Sequence, residues 1–206
     1  MLKEACCEGF MEGVNAEGLG ADRIELCKDL AKGGLSPSVK DVQEALRFLT
    51  IPVFVMVRIR EGNFVYTKKE KELMLQEIKN LKNMGVEGIV IGALNSREEI
   101  DEDFMKEVVK AASPMEITFH KAIDEVKDYN KGIEKLIELG IERVLTGGKK
   151  EKVEDSIGFL KTVQRNYGED ITIIAAGKIT KDNIDSIHNK LSLKEYHGRL
   201  IVGYLK

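Results

Sequence analysis

Eight short runs of β-branched and apolar residues alternate with longer stretches of helical periodicity, and this alternation constrains the 206-residue chain most. Strands are predicted at Leu2–Cys6, Arg23–Cys27, Val53–Ile59, Gly88–Gly92, Glu116–His120, Arg143–Thr146, Ile171–Ala175 and Glu195–His197. Helices are expected between them, with Thr67 as one N-cap, Ser36 as another ahead of Pro37 at the first helical position, and Gly20, Gly85 and Gly140 as stops. Strict alternation implies a parallel sheet with right-handed crossovers. Eight units close most naturally into a (β/α)8 TIM barrel, an α/β fold. A doubly wound open sheet is the rival, but no Rossmann glycine fingerprint follows the first strand. No linker or compositional break interrupts the chain, so residues 1–206 read as one domain. Only Arg199–Lys206 follows the last strand. The barrel therefore lacks a normal final helix, and is either unsealed on one side or sealed by a second subunit.

Charge narrows the partners. Lys and Arg total 32 against 35 Asp and Glu, a net charge of −3, which gives no electrostatic reason to expect nucleic acid. No apolar run approaches the roughly 18 residues that span a bilayer, so no membrane partner is expected. No basic segment precedes a long apolar stretch at the N-terminus, so no export signal is expected. Cys6, Cys7 and Cys27 then read as reduced thiols in the cytoplasm.

Ligand chemistry in this fold sits at the C-terminal ends of the strands. Strands one and two each carry a Glu-x-Cys step, Glu4 with Cys6 and Glu25 with Cys27. Residues i and i+2 share a face, so two carboxylates and two thiols converge if the strands are neighbours. The same reasoning collects Arg58 and Arg60, then Thr118, His120 and Asp124, then Thr146, Lys178, Glu195 and His197. Each has a bland reading. Buried cysteines are commonly inert small hydrophobes, Glu4 and Glu25 could form a buried network with Arg58, Arg60 fits the rim, and Asp124 fits a turn cap.

Two chemistries suit the set. Thiolates of Cys6 and Cys27 match Cu(I), which prefers sulfur, with a nitrogen from His120 or His197; zinc would be expected to engage more of the His and Glu side chains. Alternatively the barrel is an enzyme, a lyase, isomerase or hydrolase acting on a small anionic or phosphorylated metabolite. His120 would move a proton near neutral pH, Glu25 would be its counterpart with a pKa raised by burial, and Arg58 with Arg60 would clamp the anion. Backbone amides at Gly147-Gly148 and Ala176-Gly177-Lys178 would hold a phosphate. On that reading the catalytic candidates are His120, Glu25, Arg58 and Asp124, and the ligand-binding candidates Glu4, Arg60, Thr146, Gly147, Lys178 and His197.

The ordered segments Asp22-Arg23-Ile24-Glu25-Leu26-Cys27, Gly33-Gly34-Leu35-Ser36-Pro37-Ser38, Arg58-Ile59-Arg60-Glu61-Gly62-Asn63-Phe64, Thr118-Phe119-His120-Lys121-Ala122-Ile123-Asp124, Arg143-Val144-Leu145-Thr146-Gly147-Gly148 and Glu195-Tyr196-His197-Gly198 resemble the copper homeostasis CutC family along nearly the whole chain. The resemblance implies a cytoplasmic (β/α)8 barrel, a homodimer or higher homo-oligomer, linked to copper tolerance. It maps the family's Cu(I)-binding cysteines onto Cys6 and Cys27, and its polar pocket onto Glu4, Glu25, Arg58, His120, Asp124 and His197. Two departures stand out: Lys178 where a small residue is usual, and Arg199–Lys206 in place of a longer tail.

Overall fold

A computed structural model describes all residues, 1–206. Eight strands close into a parallel barrel in sequence order: β1 (Leu2–Glu8), β2 (Arg23–Cys27), β3 (Val53–Met56), β4 (Gly88–Ile91), β5 (Glu116–Phe119), β6 (Arg143–Thr146), β7 (Thr172–Ala175) and β8 (Glu195–Gly198). Seven helices lie outside: α1 (Phe10–Gly18), α2 (Val39–Phe48), α3 (Lys68–Met84), α4 (Glu102–Ala112), α5 (Tyr129–Glu138), α6 (Ile157–Tyr167) and α7 (Ile184–Leu191). The TIM-barrel expectation holds.

The local chemistry explains most boundaries. Thr67 and Glu70 form a reciprocal capping box at the start of α3, and Gly85 ends it with φ 83°. The start of α2 differs from the expectation. Ser38, not Ser36, is its N-cap and accepts from the Asp41 amide. The Ser36 hydroxyl instead accepts the Arg58 backbone N–H at 3.0 Å and donates to Glu77 at 3.0 Å. Ser36 is thus spent joining the β2 and β3 loops. Helix α6 is preceded by 3-10 geometry over Val153–Ser156, and α7 by turns over 181–183.

Alternation sorts the strands into two faces. Ala5, Cys7, Ile24, Leu26, Val55, Ile89, Ile91, Val144 and Ile173 point outward into the apolar layer under the helices, which forms the main core. Inside the barrel, Cys6, Cys27, Phe54, Met56 and Val90 form one small apolar group, and Leu145, Ile174 and Ala176 another. The other inward positions are mostly polar, with Gly88 and Gly92 facing the Phe54 and His120 rings.

No helix follows β8, yet the wall is sealed by this chain itself. Ile201, Val202 and Leu205 of the tail are buried in the main core. The Leu205 carbonyl accepts from Asn15 at 2.9 Å, and Arg199 forms a two-pronged ion pair with Glu12 on α1. No helix is long and apolar enough to cross a membrane.

Candidate functional site

The N-terminal end of the barrel is closed by an ionic floor. Arg23, the first residue of β2, donates to Glu4 at 2.5 Å and pairs with Glu195. Arg143 approaches Glu195 at 3.4 Å and Glu116 at 2.7 Å. Both guanidiniums lie against the Phe54 ring, 4.7 and 5.3 Å from its centroid. Gly88 leaves room for that ring, because a Cβ there would come within 2.5 Å of it. The partner of Glu4 is therefore Arg23 rather than Arg58, a correction to the network read from the sequence. Arg23 has the same parity as Glu25 on β2, and that signal could have found it.

Above the floor the register sets Glu4 beside His197 and Cys6 beside Glu25. His197 Nδ1 donates to Glu4 Oε1 at 2.8 Å and lies 4.0 Å from Glu25 Oε2. Burial pushes Glu4 up, but the hydrogen bond from His197 and the charge of Arg23 outweigh it and hold the carboxyl at about 2. Burial raises the Glu25 pKa; His197 opposes this and the neighbouring Glu4 charge adds to it. For His197, burial lowers the pKa, but the facing Glu25 and Glu4 carboxylates carry it above its ordinary value.

The thiols sit next to this group. Cys6 Sγ lies 3.4 Å from Glu25 Oε1 and 3.7 Å from Cys27 Sγ, all buried. Cys7 points outward and takes no part. Two donor sets result, Cys6–Glu25–Cys27 and Glu4–Glu25–His197, each with its ligand atoms within 4.8 Å of one another. Glu25 belongs to both, and its Oε2 has no hydrogen-bond partner. The Cys6 thiol is held well above its ordinary pKa, first by its contact with Cys27 and then by burial and the Glu25 charge. Two adjacent buried sulfurs suit a soft cation, whose charge would oppose that shift.

A second group lies toward the mouth. His120 Nδ1 accepts the Ala122 backbone N–H at 3.2 Å, which fixes the proton of the neutral ring on Nε2. Burial, followed by the Arg58 charge, pushes the His120 pKa down to about 3. His120 is thus neutral near pH 7, with its ring proton on Nε2. Gly92 makes room for its ring, since a Cβ there would lie 2.5 Å from it. Arg58 donates to the carbonyls of Lys32, Gly33 and Gly62 and stacks 4.8 Å from the Phe64 centroid. Phe64 in turn packs on His120 at 4.7 Å.

Of the other sequence candidates, Asp124 lines the mouth cavity together with Arg58 and Phe64. Asp124 accepts from Thr146 Oγ1 at 2.6 Å and from the amides of Gly147 and Lys149 at 2.8 and 3.1 Å. Gly148 N–H donates to Thr146 Oγ1. The Gly147 and Gly148 amides expected to help cradle a phosphate are therefore taken up by Asp124 and Thr146, and the Ala176 amide by the Thr146 carbonyl. Thr146 points outward, where Tyr129 O–H donates to it at 2.9 Å, because its neighbour Leu145 takes the inward position. Arg60 pairs with Glu70 at 2.6 Å and lies over Tyr66 at the rim. Lys178 is exposed and paired with Glu151 at 2.5 Å.

Comparison with known proteins places this geometry among relatives. The model of the CutC family matches residues 1–202. The chain is 38% identical over 196 residues to a family protein CutC of Mesorhizobium japonicum, covering 95% of this chain and 76% of that relative. It is 37% identical over 196 residues to the human protein named copper homeostasis protein cutC homolog, covering 95% and 72%. It superposes on the crystal structure of CutC from Streptococcus agalactiae with a TM-score of 0.93 and 31% identity, covering 98% of this chain and 99% of that one. An aldolase, QR15, superposes at a TM-score of 0.69 with 13% identity, a likeness of fold alone.

Proposed function

For a chain that belongs to the CutC family, we propose a role in copper homeostasis, with Cu(I) as the cargo held by the Sγ atoms of Cys6 and Cys27 in the cytoplasm. The observation that carries this reading is the buried thiol pair, 3.7 Å apart on neighbouring strands. The human and mouse relatives, both named copper homeostasis protein cutC homolog, lend it support. Thiolate sulfur is the ligand class that favours Cu(I) over harder cations. Glu25, 3.4 Å from Cys6 Sγ, is placed to accept the thiol proton as the sulfur becomes a ligand. His197 and Glu4 fix the carboxylate neighbourhood from the β8 side, and Arg23 balances its charge from below.

Titration of the fully reduced protein with Cu(I) in competition with a chromogenic chelator tests the proposal. One ion per chain is expected, with affinity falling by about a hundredfold or more in the Cys6→Ala/Cys27→Ala double variant, a loss of ~2.7 kcal/mol. Equal affinity in the two proteins overturns it.

A further inference from the structure

The chain has seven methionines, and Met56 alone faces the barrel interior; the others lie in or against the outer core or are exposed. On β3 the alternation that sends Val53 and Val55 outward sends Phe54 and Met56 inward. Met56 is 4% exposed and belongs to the same small apolar group as Cys6 and Cys27. The register sets Leu26 beside Val55, so the next residues, Cys27 and Met56, are neighbours at the ends of β2 and β3. Three sulfur-bearing side chains thus occupy three successive strands. The Gly34 backbone roofs two of them. A Cβ there would meet Met56 Cε at 3.7 Å and Cys27 Sγ at 3.8 Å, so a single point beside Gly34 touches both side chains.

The spacing of the two thiols calls for a third ligand. With metal–thiolate bonds of about 2.3 Å, sulfurs 3.7 Å apart subtend roughly 107° at a shared ion. A linear two-sulfur site would need them ~4.6 Å apart. The strands fix where each side chain starts, with Cys6 opposite Glu25 and Cys27 opposite Glu8. A bent pair leaves one side of the ion open. Of the groups nearby, Glu25 offers hard oxygen, and His197 Nδ1 is bonded to Glu4. The Met56 thioether is a soft donor, the class that Cu(I) prefers. Its side chain is unbranched with three rotatable bonds, so Sδ can turn toward Cys27 without moving the backbone. The bland role for such a residue is to fill a gap in the core, and leucine serves that role nearly as well.

We propose that Met56 Sδ is the third ligand of the thiol-pair site, completing an all-sulfur, three-coordinate centre for soft monovalent cations, Cu(I) or Ag(I). The inference rests on the thiol-pair reading and adds the residue that sets its selectivity. A thioether contributes little to Zn(II), which takes thiolate, imidazole and carboxylate. Zn(II) at the same place would use the Cys6–Glu25–Cys27 set. Met56 therefore strengthens the soft ion alone, and its removal narrows the preference for Cu(I) over Zn(II).

Competition titrations of the fully reduced parent, Met56→Leu and Cys6→Ala/Cys27→Ala with Cu(I), and of the first two with Zn(II), test this. Met56→Leu keeps the apolar volume and removes the sulfur. It is expected to weaken Cu(I) binding about tenfold, ~1.4 kcal/mol, and to leave Zn(II) binding unchanged, whereas a packing role would move both or neither. Two measurements on the parent need no variant to fold. X-ray absorption of the Cu(I)-loaded protein should count three sulfur neighbours. In protein labelled with 13C at the methionine methyl groups, one of the seven resonances should shift on addition of Ag(I), and it should be the one absent from Met56→Leu or Met56→Ile. Equal Cu(I) affinity in the parent and Met56→Leu overturns the proposal, as does a count of two sulfurs or an unmoved Met56 methyl. Each of those results leaves the thiol pair standing if the cysteine double variant still binds more weakly than the parent. Equal Cu(I) affinity in the parent and the cysteine double variant overturns both readings.

Discussion

At the scale of single residues, the two inward histidines respond to pH in opposite senses. His120 is buried beside Arg58 with a folded pKa of about 3. Below about pH 6.5 the unfolded chain takes up a proton that the native ring refuses, so stability falls as the pH drops from there toward 3. At ~1.4 kcal/mol for each pH unit, the contribution amounts to a few kcal/mol. His197 is raised by Glu25 and Glu4. Its contribution is fully present below its unfolded value and is lost as the pH rises through the folded one. Urea unfolding between pH 4 and 8 should therefore give a shallower acid slope for His120→Gln and a shallower alkaline slope for His197→Gln. Matching slopes in both variants and the parent would contradict these assignments. The sequence made the inward parity of both rings legible, since each ends a strand. It did not reveal which nitrogen each ring would spend, because that depends on the Ala122 amide for His120 and on a strand register for His197.

At the scale of elements, the eight-residue tail takes the place of an outer helix. It holds the seam between β8 and β1 through three buried apolar side chains, one carbonyl and one two-pronged ion pair. Ile201 is fully buried, so Ile201→Ala should cost about 2–5 kcal/mol through lost burial and the cavity left behind. Tyr204 in the same segment is 81% exposed, and Tyr204→Ala should stay within about 0.5 kcal/mol. Denaturant melts of both measure this; equal effects would mean that the tail does not seal the seam. The seven helices agree with the expectation of a missing final helix, and the buried tail covers the seam that the sequence reading leaves open. Segment length alone does not limit closure, because three well-placed apolar residues cover the seam. Ser36 shows the same competition between local and long-range partners. Its hydroxyl suits a cap in local sequence terms, but the β3 backbone and Glu77 compete for it and win. The strand count and order, by contrast, were legible because period-two and helical patterns alternate without interruption.

At the scale of the whole molecule, this barrel sets a charged layer beside two small apolar groups in an interior that the fold commonly fills with branched side chains. Arg23, Glu4, Glu195 and Arg143 close one end, and the site groups stand on them. Buried ions stabilise poorly on their own account, but removing one member leaves an uncompensated charge that costs about 3–5 kcal/mol. Arg23→Met should therefore destabilise the chain by that order near pH 7, since Glu4 has no exposure to water and would keep only His197. Adding Glu4→Leu should recover much of the loss. The pH dependence gives a stricter test. With its folded pKa near 2 against an ordinary 4.5, Glu4 contributes stability that is present above about pH 4.5 and fades as the pH falls toward 2. The gap between Arg23→Met and the parent should shrink over that same window, because a protonated Glu4 no longer needs the guanidinium. A gap that stays constant from pH 6 to pH 2.5 in thermal melts would mean that Arg23 acts through its packing on Phe54 rather than through charge.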